Sequence, residues 1–143
     1  YRPLNNKFLN PLMESIRKKY ICKKQIKKGI SGTKELLLNF KKGTSIALMI
    51  DQRVSEGIRV DLFSKKALTT TIPAQFIKKF EAKIIPVHIE RINVEKFNIT
   101  FQDPIKFSKD SNIESITYKL NNILEEMIKK NPSQWIWSHN RWK

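Results

Sequence analysis

The chain has 143 residues, with 28 lysines and arginines against 13 acidic residues, a net charge of +15 and 40% hydrophobic content. That length holds one domain with its own core, and so positive a balance favours polyanionic partners: nucleic acid, anionic lipid, phosphorylated sugar or an acidic carrier protein. The lone cysteine, Cys22, excludes an internal disulfide and a Cys-x-x-Cys metal site, and no apolar run approaches the ~18 residues that would span a membrane.

The charge is uneven. Residues 1–50 carry 12 basic and 2 acidic residues, and residues 51–143 carry 16 and 11. Lysine pairs recur at 18–19, 23–24, 27–28, 41–42, 65–66, 78–79 and 129–130. Their dispersion predicts several basic patches, or simply a solubilising surface, and not one dense tail.

In chain order, Asn10-Pro11 predicts a helix start, since Asn caps free N–H groups and Pro is tolerated at the first helical position. Leu12, Ile16 and Tyr20 then share one face. Residues 21–26 suggest a short strand. Ser31 is expected to cap a second helix, with Leu36, Leu37 and Phe40 inward and Gly43 at its end. The run Ser45–Ile50 predicts a buried strand over 44–50. Val60, Leu62 and Phe63 form a short extended segment. Thr69, Thr70 and Thr71 precede a helix with Pro73 near its start and Phe76, Ile77 and Phe80 inward. Residues 83–91 predict a central strand in which Pro86 is awkward, because it cannot donate to the ladder. Phe97, Ile99 and Phe101 alternate with polar residues as in a half-solvated strand. Ser111 and Glu114 have capping-box spacing, and Ile113, Ile116, Leu120, Ile123, Leu124, Met127 and Ile128 line one face of a long helix ended by Pro132. Helix and strand alternating at short spacing predict an α/β fold: a mixed, mainly parallel sheet flanked by helices. No repeat or linker divides residues 1–143, so one domain is expected.

The candidate site follows the predicted strand. It places Asp51 at the carboxyl end, the edge where open α/β sheets bind ligands, with Arg53, Glu56 and Gly57 in the next loop. Asp51 could accept a substrate hydroxyl, orient a base or cap a turn. Arg53 and Arg59 could bind phosphate or carboxylate as donor forks, or pair with Glu56. Gly57 permits an unusual turn. The threonines at 69–71 could hold an anion at a helix N-terminus or act only as caps. His88 and His139 are the only histidines, and neither sits in a local catalytic motif. The Trp135, Trp137 and Trp142 segment could stack on bases, lie at a lipid interface or close the core. Arg2, beside Pro3 and Asn5, says little alone.

Together these blocks resemble the carboxyl-terminal portion of the lipid A biosynthesis lauroyl/myristoyl acyltransferases, within the lysophospholipid acyltransferase-like superfamily. The resemblance rests on Tyr1-Arg2-Pro3-x-Asn5-Asn6, Asp51-Gln52-Arg53-x-x-Glu56-Gly57-Ile58, Ala67-x-Thr69-Thr70 with Pro73-Ala74, and Ile85-Pro86-Val87 with Glu90-Arg91. It ends in Pro132-x-Gln134-Trp135-x-Trp137-x-His139-x-Arg141-Trp142-Lys143. Each block is weak, but their order and their spread along the chain are specific.

The resemblance implies transfer of a fatty acyl group from acyl–acyl carrier protein to an acyl-chain hydroxyl of a phosphorylated glucosamine lipid, at the cytoplasmic face of the bacterial inner membrane, without a cofactor or metal. It implies Asp51 as a supporting catalytic residue, and substrate binding by Arg2, Arg53, Glu56, Gly57, Thr69 and Thr70. The family's His with an acid five residues later is absent: Asn93 follows His88 at that spacing, and nothing follows His139. The chain is therefore expected to be a partial acyltransferase domain, inactive alone, with acyl carrier protein, the lipid acceptor and an anionic membrane surface as partners and no nucleic acid. The alternatives are a basic nucleic-acid-binding domain, which gives the Asp51 block no role, and a glycerophospholipid acyltransferase of the same superfamily.

Overall fold

Backbone pairing organises every strand of this protein into tight antiparallel hairpins. The computed structural model describes residues 1–143, the side chain of Ile30 excepted. The chain divides into two compact units, Tyr1–Ala47 and Leu48–Lys143.

The first unit is helical. Helix α1 spans Leu9–Tyr20 and α2 spans Ile30–Lys41. The expected Asn10 cap is displaced: Asn6 Oδ1 accepts from the N–H groups of Phe8 and Leu9 at 2.9 and 3.1 Å, while Asn10 Oδ1 accepts from Leu4 at 2.8 Å. Leu12, Ile16 and Tyr20 do share a face, and all three are exposed. Residues 21–26 form no strand, because a strand needs a ladder partner. Ile21 and Cys22 N–H instead donate back to Arg17 O at 2.9 and 3.1 Å, and the Tyr1 nitrogen donates to Ile26 O at 2.6 Å while its carbonyl accepts from Lys28 at 2.7 Å. Gly29 and not Ser31 stands at the α2 N-cap. Gly43 closes α2 with φ of 80°, a left-handed conformation that glycine adopts without steric cost.

The second unit holds the core. Strands β1 (Ile58–Leu62) and β2 (Lys65–Thr69) pair antiparallel, Val60 opposite Ala67. Helix α3 (Ile72–Phe80) follows, with Pro73 in its first turn as expected. Strands β3 (Val87–Arg91) and β4 (Phe97–Phe101) form a second antiparallel hairpin. Helix α4 spans Ile113–Lys130 and leads into a 3-10 turn at Pro132–Gln134.

The mainly parallel sheet is thus overturned: both sheets are two-stranded and antiparallel. The connections dictate this. Only Phe63 and Ser64 join β1 to β2, and residues 92–96 join β3 to β4, whereas a parallel crossover needs roughly a dozen residues. The run 44–50 forms no strand. The Phe63–Ser64 turn has positive φ at both residues, 51° and 58°, the geometry of the tight hairpin turn that matches strand twist. Neither residue is a glycine, so tertiary contacts hold the turn. Phe63 N–H donates to Glu125 Oε1 at 2.6 Å, and its ring lies 5.8–6.5 Å from those of Trp135, Trp137 and Trp142.

Helix α4 closes the core as its apolar stripe predicts. Leu124 and Ile128 pack with Leu62 and Ala67, and Ile116 and Leu120 pack with Ala74, backed by Ile50, Ile77 and Ile84. Each such fully buried aliphatic side chain contributes about 1.5–3 kcal/mol. Asn112 and not Ser111 caps the helix, accepting from Ser115 N–H at 2.8 Å. Pro86 lies just before β3, where it needs no donor; its carbonyl accepts from Gln102 at 3.0 Å. The apolar face of the second hairpin, Val87, Ile89, Phe97, Ile99 and Phe101, is turned outward.

Candidate functional site

Asp51 sits in the irregular segment between Leu48 and β1, half-buried, directly after Ile50, which packs on the α4 core. No strand carries it, so the sheet-edge argument for its position no longer applies. What fixes this loop comes from the far end of the sequence. Arg141 is fully buried. Its guanidinium donates to Leu68 O through Nη1, and through Nη2 to Thr69 Oγ1 at 3.0 Å and Ile50 O at 3.4 Å. Burial lowers its pKa from the usual arginine value, and the Asp51 carboxylate opposes that shift. Two residues beyond Asp51, Arg53 N–H donates to His139 Nε2 at 3.1 Å. Accepting that bond places the imidazole proton on Nδ1.

The other candidates divide sharply. Thr69 is buried and its hydroxyl is fully used: it donates to Ala67 O at 3.2 Å and accepts from Arg141 and from Asn121 Nδ2, the latter at 3.2 Å. Asn121 also donates to Asp61 O at 2.8 Å. Thr70 Oγ1 accepts from Ile72 N–H at 3.3 Å, and Thr71 Oγ1 accepts from Gln75 Nε2 at 2.9 Å. Both serve the start of α3. Arg53, Glu56 and Arg59 are exposed, and among the described residues none of them enters a salt bridge. Gly57 lies against β2, where an added Cβ would collide with the Thr69 carbonyl. Glycine here permits a close backbone approach. Arg2 is exposed in the first unit.

Arg141 and His139, which hold the loop, and Asn121, which joins Arg141 at Thr69, escaped the reading of the sequence as site components. Asn121 had a signal: it is a polar residue beside Leu120 on the apolar stripe of α4. For Arg141 the signal was an arginine set among tryptophans. Those tryptophans pack. Trp142 Nε1 donates to Leu62 O at 2.9 Å and Trp137 Nε1 to Pro132 O at 2.8 Å. Gln134 joins the same segment to β3, accepting from Arg91 N–H and donating to Arg91 O, both at 2.8 Å.

Chemically, the exposed Arg53, two residues after Asp51, offers a forked donor to an anion, and Asp51 offers an acceptor. His88 faces Thr100 across the second hairpin, and the Nε2 lone pair of His139 is engaged by Arg53. Among the described residues no group of His, Cys, Asp and Glu is arranged to hold a metal ion, and no helix is long and apolar enough to cross a membrane.

No curated protein matches this sequence. The family model for bacterial lipid A biosynthesis acyltransferases matches residues 1–143, the entire chain. With the Asp51 loop, its arginines and the tryptophan-rich segment all inside that match, the chain belongs to the bacterial lipid A biosynthesis acyltransferase family.

Proposed function

We propose that this chain forms part of an enzyme that moves a fatty acyl group from acyl–acyl carrier protein to an acyl-chain hydroxyl of a phosphorylated glucosamine lipid. The observation that carries the reading is the family match over residues 1–143. The acceptor hydroxyl loses its proton to a base and its oxygen attacks the thioester carbonyl. The tetrahedral intermediate collapses, the C–S bond breaks, and the carrier thiolate leaves with the electron pair and takes up a proton.

The base in this proposal is a histidine with its acid partner, supplied outside these 143 residues. Asp51 supports the chemistry, Arg53 and Arg2 each bind phosphate or carboxylate, and Glu56 and Gly57 shape the loop. In this reading Thr70, before α3, binds a polar head group. Thr69, its hydroxyl spent internally, supports from behind. The excess of basic residues suits an acidic carrier protein and an anionic lipid surface at the cytoplasmic face of the inner membrane.

The test is acyl transfer with acyl carrier protein as donor and a lipid A precursor as acceptor. The 143-residue chain is expected to give no turnover, and the same chain joined to upstream sequence bearing the His and acid to give turnover. Turnover by the 143-residue chain alone would remove the external base. Steeply salt-dependent oligonucleotide binding, with no affinity for acyl carrier protein, would replace the reading with a nucleic-acid-binding one.

A further inference from the structure

The geometry points to a positioning role for Arg141 and His139: together they hold the Asp51 loop from both sides and set the place of its carboxylate for acyl transfer. This rests on the function proposed above. Arg141 grips Ile50 O, the residue before Asp51, and His139 accepts from Arg53 N–H, two residues after it. Asp51 and Gln52 are all that lies between the two holds.

The charge of Arg141 separates this role from plain stitching. Tying two carbonyls and a hydroxyl together needs donors but no net charge. Burying a guanidinium is costly unless it faces an opposite charge, and its Nε is buried without a hydrogen-bond partner. Among the described residues Arg141 forms no salt bridge within 4.0 Å, and the Asp51 carboxylate opposes the effect of its burial. An uncharged residue would serve the fold at lower cost. An arginine here both grips the loop backbone and attracts the carboxylate that the loop carries. His139 acts at the exposed end, where its loss leaves the core intact.

Two measurements decide it. In the 143-residue chain, hydrogen exchange of the Arg53 amide is followed in His139→Leu and His139→Gln, because glutamine can accept the bond and leucine cannot. Lost protection in His139→Leu, restored in His139→Gln, is the expected result; unchanged protection in His139→Leu overturns the inference. In the active, longer enzyme, His139→Leu and Arg141→Lys should lower kcat by up to about 100-fold, the scale of a small misplacement of a reacting group, with KM little changed. Each loss should vanish in an Asp51→Ala background, since a residue acting through Asp51 has nothing left to position. Additive losses, or full kcat in both variants, overturn the positioning role. A wild-type enzyme without acyl transfer defeats the proposed function, and the exchange experiment still decides the clamp.

Discussion

Asp51, expected as a supporting catalytic residue, and Thr69, expected to bind substrate, differ in what the fold leaves available. Asp51 is half-buried at the start of a loop that carries the exposed Arg53, with the exposed Arg59 following in β1; Thr69 is the hub of a buried polar network. In the longer enzyme Asp51→Ala should reduce kcat/KM by about 100-fold, comparable to removing a preorganised electrostatic contact, and wild-type rates would take Asp51 out of the site. Thr69→Val should act on stability instead. It strands the donors of Asn121 and Arg141, each at about 1–3 kcal/mol, and a urea midpoint equal to wild type would show that the network carries no weight. The types and neighbours of the loop residues were legible in the sequence because they form one local block. The network was not, because its members lie 52 and 72 residues from Thr69 and hydrogen bonding at that range leaves no periodicity.

At the scale of elements, helices announced themselves better than strands. The stripe on α4 is dense enough for tertiary packing and local pattern largely to agree: Ile116, Leu120, Leu124 and Ile128 are buried, while Ile113 is exposed and the cap lies at Asn112. Asn112→Ala should therefore cost about 1 kcal/mol by denaturant unfolding, and Ser111→Ala almost nothing. The first hairpin was half seen: Lys65 and Lys66 in β2 resemble a loop, and the fold accepts them because that end of the strand is exposed. The run Ser45–Ile50 has strand composition and no partner to pair with, which no local pattern reveals.

Helix α1 makes a separate, pH-dependent prediction. Glu14 accepts from the Tyr1 hydroxyl at 2.7 Å and from Asn10 Nδ2 at 2.9 Å. The Tyr1 bond first, then the Asn10 bond, hold its pKa below the ordinary value, with Lys27 at 3.6 Å adding to the effect. A depressed carboxylate pKa contributes stability above the unfolded-state value and loses it as pH falls through the folded one. The link between Tyr1 and α1 should therefore loosen in acid, and Glu14→Gln should flatten that dependence in tyrosine fluorescence titrations. An unaltered acid limb in Glu14→Gln would count against the linkage.

On the whole molecule, the charge dominates. A net +15 over 143 residues predicts attraction to anionic lipid, which salt should screen once the Debye length falls to about 10 Å near 0.1 M. Binding to vesicles containing phosphatidylglycerol should fall steeply through that range, and vesicles of neutral lipid should bind far less. Salt-independent binding would assign the affinity to apolar contact. The net charge was legible in the composition, while the antiparallel pairing of both sheets depended on which segments found partners.

The Arg141 grip on Ile50 joins residues 91 apart in the chain. On a ribosome adding roughly 5–20 residues per second, the segment around Asp51 emerges some 5–18 s before its anchor exists. During that interval a nascent chain displays the Asp51 loop without its hold, and an interrupted product would keep it that way. Synthesis order alone thus delays assembly of this part of the protein until translation has passed Arg141, so that truncated products carry the loop in an unfinished form.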